Sequence, residues 1–200
     1  MKIMKTLGLA LVAVAAFMAV VGAGAAQAET TLCKNTETPC AAGNGYGAGT
    51  SVSASLATGT EAILTAGAEF LQTNCKTSEV AGKIETATTP SGKLSKLSFT
   101  NCNRTVTTKK PGELTIHWDA EHNGNLTAKG FEVEVNAGVT CIFGGEVKSG
   151  LTLTGGSPAT LDATATIPKT GGSIFCPSSA VWHATYTVNS PKPAYVSNGV

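Results

Sequence analysis

Apolar and polar residues alternate along most of the chain after residue 28, and this alternation limits the folds open to it. The clearest run spans residues 131–136, in which Phe131, Val133 and Val135 alternate with polar residues. Similar runs occupy residues 51–56, 114–119, 161–167 and 182–188. A period of two places successive side chains on opposite faces of a strand. Each run therefore predicts a half-buried β-strand.

Turn signals separate these runs at intervals of about 8 to 12 residues. They are pairs rich in Gly, Pro and Asn, such as Pro111-Gly112, Asn123-Gly124 and Gly144-Gly145. Helical periodicity is nearly absent after residue 28. The sequence therefore predicts an all-β fold, an antiparallel β-sandwich of the jelly-roll or Ig-like kind. We expect a type I′ hairpin at Asn123-Gly124, because that turn needs positive φ at both central residues.

The first 28 residues have the three-part layout of a secretory signal peptide. Lys2 and Lys5 precede a stretch without charge, and the small-residue triplet Ala26-Gln27-Ala28 ends it. This layout predicts cleavage after Ala28 and a secreted, extracellular mature chain. The alternative is an uncleaved membrane anchor, because the apolar stretch is nearly long enough to span a bilayer.

The remaining chain divides into a Cys- and Gly-rich segment at 29–50, one β-sandwich domain at 51–190 and a Pro-containing tail at 191–200. No second long apolar run follows the signal, so no membrane span is expected in the mature chain. Loss of Lys2 and Lys5 leaves 12 basic against 13 acidic residues. A nucleic-acid-binding domain is strongly basic, so nucleic acid is not an expected partner.

Six cysteines follow the predicted cleavage site, and their number is even. In an oxidising compartment this predicts three disulfides, for which 15 connectivities are possible. We favour pairing of nearest neighbours, because the first two cysteines bracket a short Pro-containing turn. The favoured pairs are Cys33–Cys40, Cys75–Cys102 and Cys141–Cys176. No C-x-x-C motif is present and no His lies close to a Cys, which argues against a zinc site.

Residues typical of catalysis are few. There are three histidines and no G-x-S-x-G or phosphate-binding glycine motif. The densest polar cluster is residues 117–122: on a strand, His117, Asp119 and Glu121 would share one face, with His122 near the turn. Such a cluster can bind a metal or supply two acids for glycoside hydrolysis. The simpler interpretation is a solvated strand face, and we expect no metal or other cofactor.

Aromatic side chains on a β-sandwich can stack on sugars. Trp118 and Trp182 fall in register with aliphatic neighbours, which predicts that both lie in the core. Tyr46 lies in a Gly-rich loop and is the better candidate for an exposed ring. A carbohydrate site would therefore use Tyr46 together with the hairpin around residues 117–122.

The segment from Gly171 to Val188, with its GGSIFCP and WHATYTV strings, follows an Ala-rich signal and a Thr/Gly-rich chain with paired cysteines. In this layout the chain resembles small secreted proteins of high-GC Gram-positive bacteria. The resemblance implies export and a β fold, and it supplies no activity or site residues.

Three functional hypotheses follow. The first is a secreted, non-catalytic structural or interaction protein, associated with the cell envelope or free outside the cell. The second is a module that binds carbohydrate or another ligand, with polysaccharide or a cell-envelope component as partner. The third is a secreted hydrolase using Asp119 and Glu121.

Overall fold

A computed structural model describes residues 29–67 and 71–199, and the predicted signal peptide at 1–28 lies outside the described residues. The described part contains thirteen strands, no helix, and hence no helix able to cross a membrane. All pairings between strands are antiparallel, so the predicted all-β antiparallel fold is confirmed. The strands are β1 Thr30–Cys33, β2 Ser51–Leu56, β3 Ala62–Ala66, β4 Leu71–Lys83, β5 Ser91–Cys102, β6 Thr105–Lys110, β7 Glu113–Trp118, β8 Gly124–Asn136, β9 Thr140–Val147, β10 Leu151–Thr154, β11 Thr160–Gly172, β12 Ser179–Ser190 and β13 Tyr195–Asn198.

Strand pairing forms a closed circuit around the core. The order is β12, β2, β4, β5, β7, β8, β10 and β11, and β11 pairs again with β12. The two layers of the sandwich are therefore joined at both edges. Each of these eight strands therefore pairs on both sides, which limits the unpaired strand edges that promote aggregation.

Register shifts occur in the long strands that carry this circuit. They lie at Ser95 in β5, opposite 81/82 of β4, and at 129/131 in β8, 169/171 in β11 and 188/190 in β12. An extra residue bends a strand and increases its twist. These irregularities let long strands pass from one layer to the other without losing their partners.

The core follows the alternation seen in the sequence. In β8 and β11 buried and exposed residues alternate almost strictly, and the inward positions are apolar. Tyr186 is buried, and its hydroxyl shares a 2.9 Å hydrogen bond with that of buried Ser78. Burial raises the pKa of Tyr186, against the smaller, opposite effect of this hydrogen bond. The phenol therefore stays neutral inside the sandwich.

The two ends of the described chain pair with each other. Strand β1 pairs with β13, and this small sheet covers one end of the sandwich, with Val196 and Leu32 buried beneath it. The hydroxyl of Thr30 accepts a 2.8 Å hydrogen bond from the backbone N–H of Trp118. The 29–50 segment and the 191–200 tail are thus parts of one cap.

The three disulfides join nearest neighbours along the chain, as the sequence predicts. They are Cys33–Cys40, Cys75–Cys102 and Cys141–Cys176. Cys75 and Cys102 lie opposite each other on β4 and β5, whereas Cys141 on β9 holds the loop between β11 and β12. Three disulfides are typical of an extracellular protein.

The predicted type I′ turn at Asn123-Gly124 is wrong. Five residues, 119–123, connect β7 to β8, and the positive φ of 53° belongs to Glu121. Gly124 instead begins β8, where a Cβ would lie 2.9 Å from the carbonyl oxygen of His117 and 3.1 Å from Val196. The glycine is needed there for close packing under the cap rather than for a turn conformation.

Candidate functional site

The most exposed large apolar side chains of the described residues are neighbours in one loop. Ile174 is 88% exposed and Phe175 is 74% exposed. They lie in the loop at 173–178 between β11 and β12, at the end of the sandwich opposite the β1–β13 cap. Contiguous exposed apolar groups mark interaction sites far more often than scattered single residues do.

The backbone of this loop, which we call the apolar tip, is held at several points. The Lys169 ammonium donates to the carbonyl oxygens of Ser173 and Cys176, at 3.1 and 3.4 Å. The N–H of Phe175 donates to the Ser173 hydroxyl at 3.2 Å, and the disulfide ties Cys176 to Cys141. Ile174 and Phe175 are therefore presented on an ordered loop.

The segments that form the apolar tip and its neighbouring turn contain no charged residue, and the Lys169 ammonium is the charge that contacts the loop. The N–H of Ser173 donates to the carbonyl oxygen of Thr140 at 2.8 Å, which places the β8–β9 turn beside the tip. No Asp, Glu, Lys, Arg or His occurs in residues 135–145 or 170–180. Two protruding apolar side chains thus lie in segments without charged residues, above the Lys169 ammonium that bonds to the loop backbone.

The hairpin cluster differs from its predicted arrangement. Strand β7 ends at Trp118, so Asp119 and Glu121 lie in the connecting loop and do not share a strand face with His117. All three are exposed, whereas His122 is half-buried with its ring 6.0 Å from that of Tyr195. Among residues 29–67 and 71–199, no three His, Cys, Asp or Glu side chains are grouped to bind a metal ion.

Tyr46 is not the exposed ring that its glycine-rich loop predicts. Its side chain is half-buried against the core, and its hydroxyl donates to the carbonyl oxygen of Pro193 at 2.6 Å. Burial raises the pKa of Tyr46, and the ammonium of Lys34 lies 5.7 Å from its ring centre. Tyr46 therefore anchors the C-terminal tail to the N-terminal segment.

The two tryptophans have different environments. Trp182 packs against the core, as predicted, with edge-to-face contacts to Phe99 and Tyr186 at centroid distances of 5.9 and 6.2 Å. The same prediction is wrong for Trp118, which is 37% exposed. It is the last residue of β7, where the strand leaves the sandwich and its indole N–H bonds to the Glu121 carbonyl at 3.3 Å.

The interior of the sandwich contains three apolar cavities of about 100, 40 and 30 Å³. The first two share the side chains of Leu94, Leu114 and Leu126, and the last two share Phe131 and Trp182. The cavities therefore follow one another through the core. His117, Asp119 and Glu121 line none of them.

Comparisons of the chain with protein-family models, with curated proteins and with solved structures found no match. The function is therefore inferred from the chemistry of the surfaces and cavities themselves. The apolar tip is the functional feature that alternation does not predict. The signal for it was two large apolar residues, Ile174 and Phe175, within an uncharged turn segment bounded by Gly171-Gly172 and Pro177.

Proposed function

We propose that this protein is an exported, non-catalytic interaction protein that attaches reversibly to a lipid surface of the cell envelope through its apolar tip. The observation that carries this proposal is the exposure of Ile174 and Phe175, at 88% and 74%, on an ordered loop. The signal-peptide layout with cleavage after Ala28 supports export to the compartment where such a surface lies.

The energetics suit a reversible attachment. Burying one large apolar side chain contributes about 1.5 to 3 kcal/mol. Two such side chains give an attraction similar to that of a single myristoyl chain, whose membrane association constant is about 10⁴ M⁻¹. Residues 170–180 add no charged side chain to the interface, and the Lys169 ammonium at the base of the tip is bonded to the carbonyl oxygens of Ser173 and Cys176.

Replacing both tip residues is expected to abolish vesicle binding. We expect an Ile174→Ser/Phe175→Ser variant to bind phosphatidylcholine vesicles at least about tenfold more weakly in co-sedimentation, because most of the apolar area available for insertion is lost. Binding of the wild-type protein to phosphatidylcholine vesicles should depend little on salt, because insertion of Ile174 and Phe175 rather than charge carries it.

Val181→Ser is the matched control, because Val181 is 37% exposed on strand β12 rather than on a protruding loop. It should bind vesicles like the wild type. Equal binding by the double variant and the wild type would refute the proposal. So would binding that disappears with added salt, since that would indicate charge rather than insertion.

A second candidate function, polysaccharide binding, is favoured by the exposure of Trp118. Its ring lies at the end of β7 beside exposed His117, Asp119 and Glu121. An exposed aromatic face bordered by hydrogen-bonding side chains is suited to a sugar ring. The hydrolase hypothesis draws on the same Asp119 and Glu121, but none of the three interior cavities includes them.

If the hairpin binds polysaccharide, Trp118→Ala should at least halve the retention of the protein on an insoluble polysaccharide column. The far-UV circular dichroism spectrum should stay unchanged, because the ring lies at the surface. Phe99→Leu, a conservative change at a ring facing the interior, serves as the control and should be retained normally. Unchanged retention of Trp118→Ala would exclude this second function.

A further inference from the structure

Two buried polar groups face the innermost cavity without a partner. The hydroxyl of Thr73 and the indole N–H of Trp182 form no hydrogen bond with any described residue, and both side chains line the cavity of about 30 Å³. Thr73 is only 2% exposed. Buried polar groups in proteins nearly always have a partner, because leaving one unpaired is costly. This pair therefore needs an explanation.

Strand register brings the two groups to one side of the sheet. Thr73 on β4 lies opposite Leu64 on β3, and Leu64 in turn lies opposite Trp182 on β12. Residues opposite each other on neighbouring strands project to the same face, so all three point inward. The two backbones are roughly 10 Å apart across two strand spacings. A hydrogen-bond acceptor placed between the Thr73 hydroxyl and the Trp182 indole N–H can accept a hydrogen bond from each.

Packing fixes the direction of the indole. Phe99 and Tyr186 contact the Trp182 ring edge-to-face from two sides. The ring is thus held by its neighbours before any molecule binds. A donor fixed in this way loses little freedom on binding, which favours affinity.

The space beyond this polar pair is apolar and elongated. The inward positions of the surrounding strands include many small residues, and the cavities of about 30, 40 and 100 Å³ follow one another. The buried alanines that line these cavities are Ala54, Ala62, Ala128, Ala163 and Ala194. A closed circuit of eight strands can hold one small ligand in its interior.

The far end of this series lies beneath the β1–β13 cap, since Leu32 lines the largest cavity. Lys83, Ser91 and Ser190 line the largest cavity, and the Ser190 hydroxyl donates to the carbonyl oxygen of Ser51, which pairs with Lys83. The polar side chains that line this cavity therefore lie close together at one end of the sandwich. Between this cavity and the one at Thr73 and Trp182, the middle cavity is mostly apolar, with Glu113 and Tyr186 as its polar side chains.

We propose that the sandwich interior binds a small neutral aliphatic molecule carrying one oxygen, such as a ketone or ester, whose oxygen accepts hydrogen bonds from Trp182 and Thr73. The size is about six to ten non-hydrogen atoms, since a dry cavity of about 150 Å³ binds benzene. A carboxylate does not fit, because no charged side chain lines the innermost cavity and an unpaired buried charge is prohibitively costly.

The test is titration of the ¹⁵N-labelled, disulfide-bonded protein with 2-heptanone, followed by the indole N–H resonances in two-dimensional NMR. We expect the Trp182 signal to shift and that of Trp118, on the surface, to stay in place. Thr73→Val keeps the shape but removes the hydroxyl, and should weaken 2-heptanone binding roughly three- to tenfold. Thr166→Val, at an exposed position on β11, should bind like the wild type.

Titrations with toluene and with heptanoate test separately whether the ligand needs an oxygen and whether it must be neutral. Toluene, which has no oxygen, should bind more weakly than 2-heptanone and be insensitive to Thr73→Val, and any binding of heptanoate, with its carboxylate at Lys83 in the largest cavity, should also be insensitive to Thr73→Val. Without 2-heptanone, Thr73→Val should be at least as stable as the wild type, because it removes an unpaired hydroxyl. Absence of a Trp182 shift at millimolar ketone, or a destabilised Thr73→Val protein that binds no ketone, overturns the proposal.

Discussion

Reduction of all three disulfides is expected to unfold the protein at 25 °C without denaturant. The loops closed by Cys75–Cys102 and Cys141–Cys176 have sequence separations of 27 and 35 residues, and that of Cys33–Cys40 is 7. Chain-entropy arguments give about 3.5 to 4 kcal/mol for each longer loop and about 2.4 kcal/mol for the short one. Together these values match the whole stability of a typical domain, about 5 to 15 kcal/mol.

The measurement is thermal unfolding, followed by circular dichroism, of the native protein and of protein reduced and alkylated in denaturant and then dialysed. The native protein should show a cooperative transition and the alkylated protein none. A Cys33→Ala/Cys40→Ala variant is the matched control, since it loses only the shortest loop and should unfold cooperatively at a lower temperature. A cooperative transition in the fully alkylated chain would contradict the prediction.

Gly144→Ala is expected to be among the most damaging small substitutions in the strands of the sandwich. Gly144 on β9 pairs with Glu132 on β8, and a Cβ at this position would lie far inside van der Waals contact with the Phe131 carbonyl oxygen. The obstacle is backbone, so the strands themselves must separate. Overpacking costs about 1 to 3 kcal/mol where side chains can adjust. We expect a loss of about 3 kcal/mol or more for Gly144→Ala, because backbone adjusts less readily.

Chemical denaturation of Gly144→Ala beside Gly47→Ala tests this expectation. A Cβ on Gly47 would have no atom within 4 Å, and its loop is exposed, so Gly47→Ala should change the free energy of unfolding by less than about 0.5 kcal/mol. Similar unfolding midpoints for the two variants would show that β8 and β9 can separate at Gly144 without cost.

Alternation predicted the strands well because each strand has one face in the core. In β8 and β11 the pattern of buried and exposed residues follows the sequence almost position by position. The closed circuit of strands was not predictable in this way, because β2–β12 pairing depends on register between distant segments. Alternation fixes which side chain points inward and leaves the neighbouring strand undetermined.

The errors in the candidate site have similar causes. Trp118 continues the alternation of β7, but the strand ends at that residue, so its ring is exposed. Gly124 belongs to an Asn-Gly pair, yet close packing against Val196, a residue 72 positions away, explains its presence. Tyr46 lies in a glycine-rich loop and is held by Pro193 from the other end of the chain. In each case a tertiary partner or a strand boundary decided the outcome.

The cap formed by β1 and β13 imposes an order on assembly. Thr30 pairs with Asn198, so the first strand of the described chain cannot acquire its partner until the last strand has been synthesised. The Cys33–Cys40 loop needs only residues already present and can close at once. Contacts between residues so far apart in sequence slow folding. Closure of this end of the molecule by the cap is therefore a late folding event, which follows the synthesis of β13.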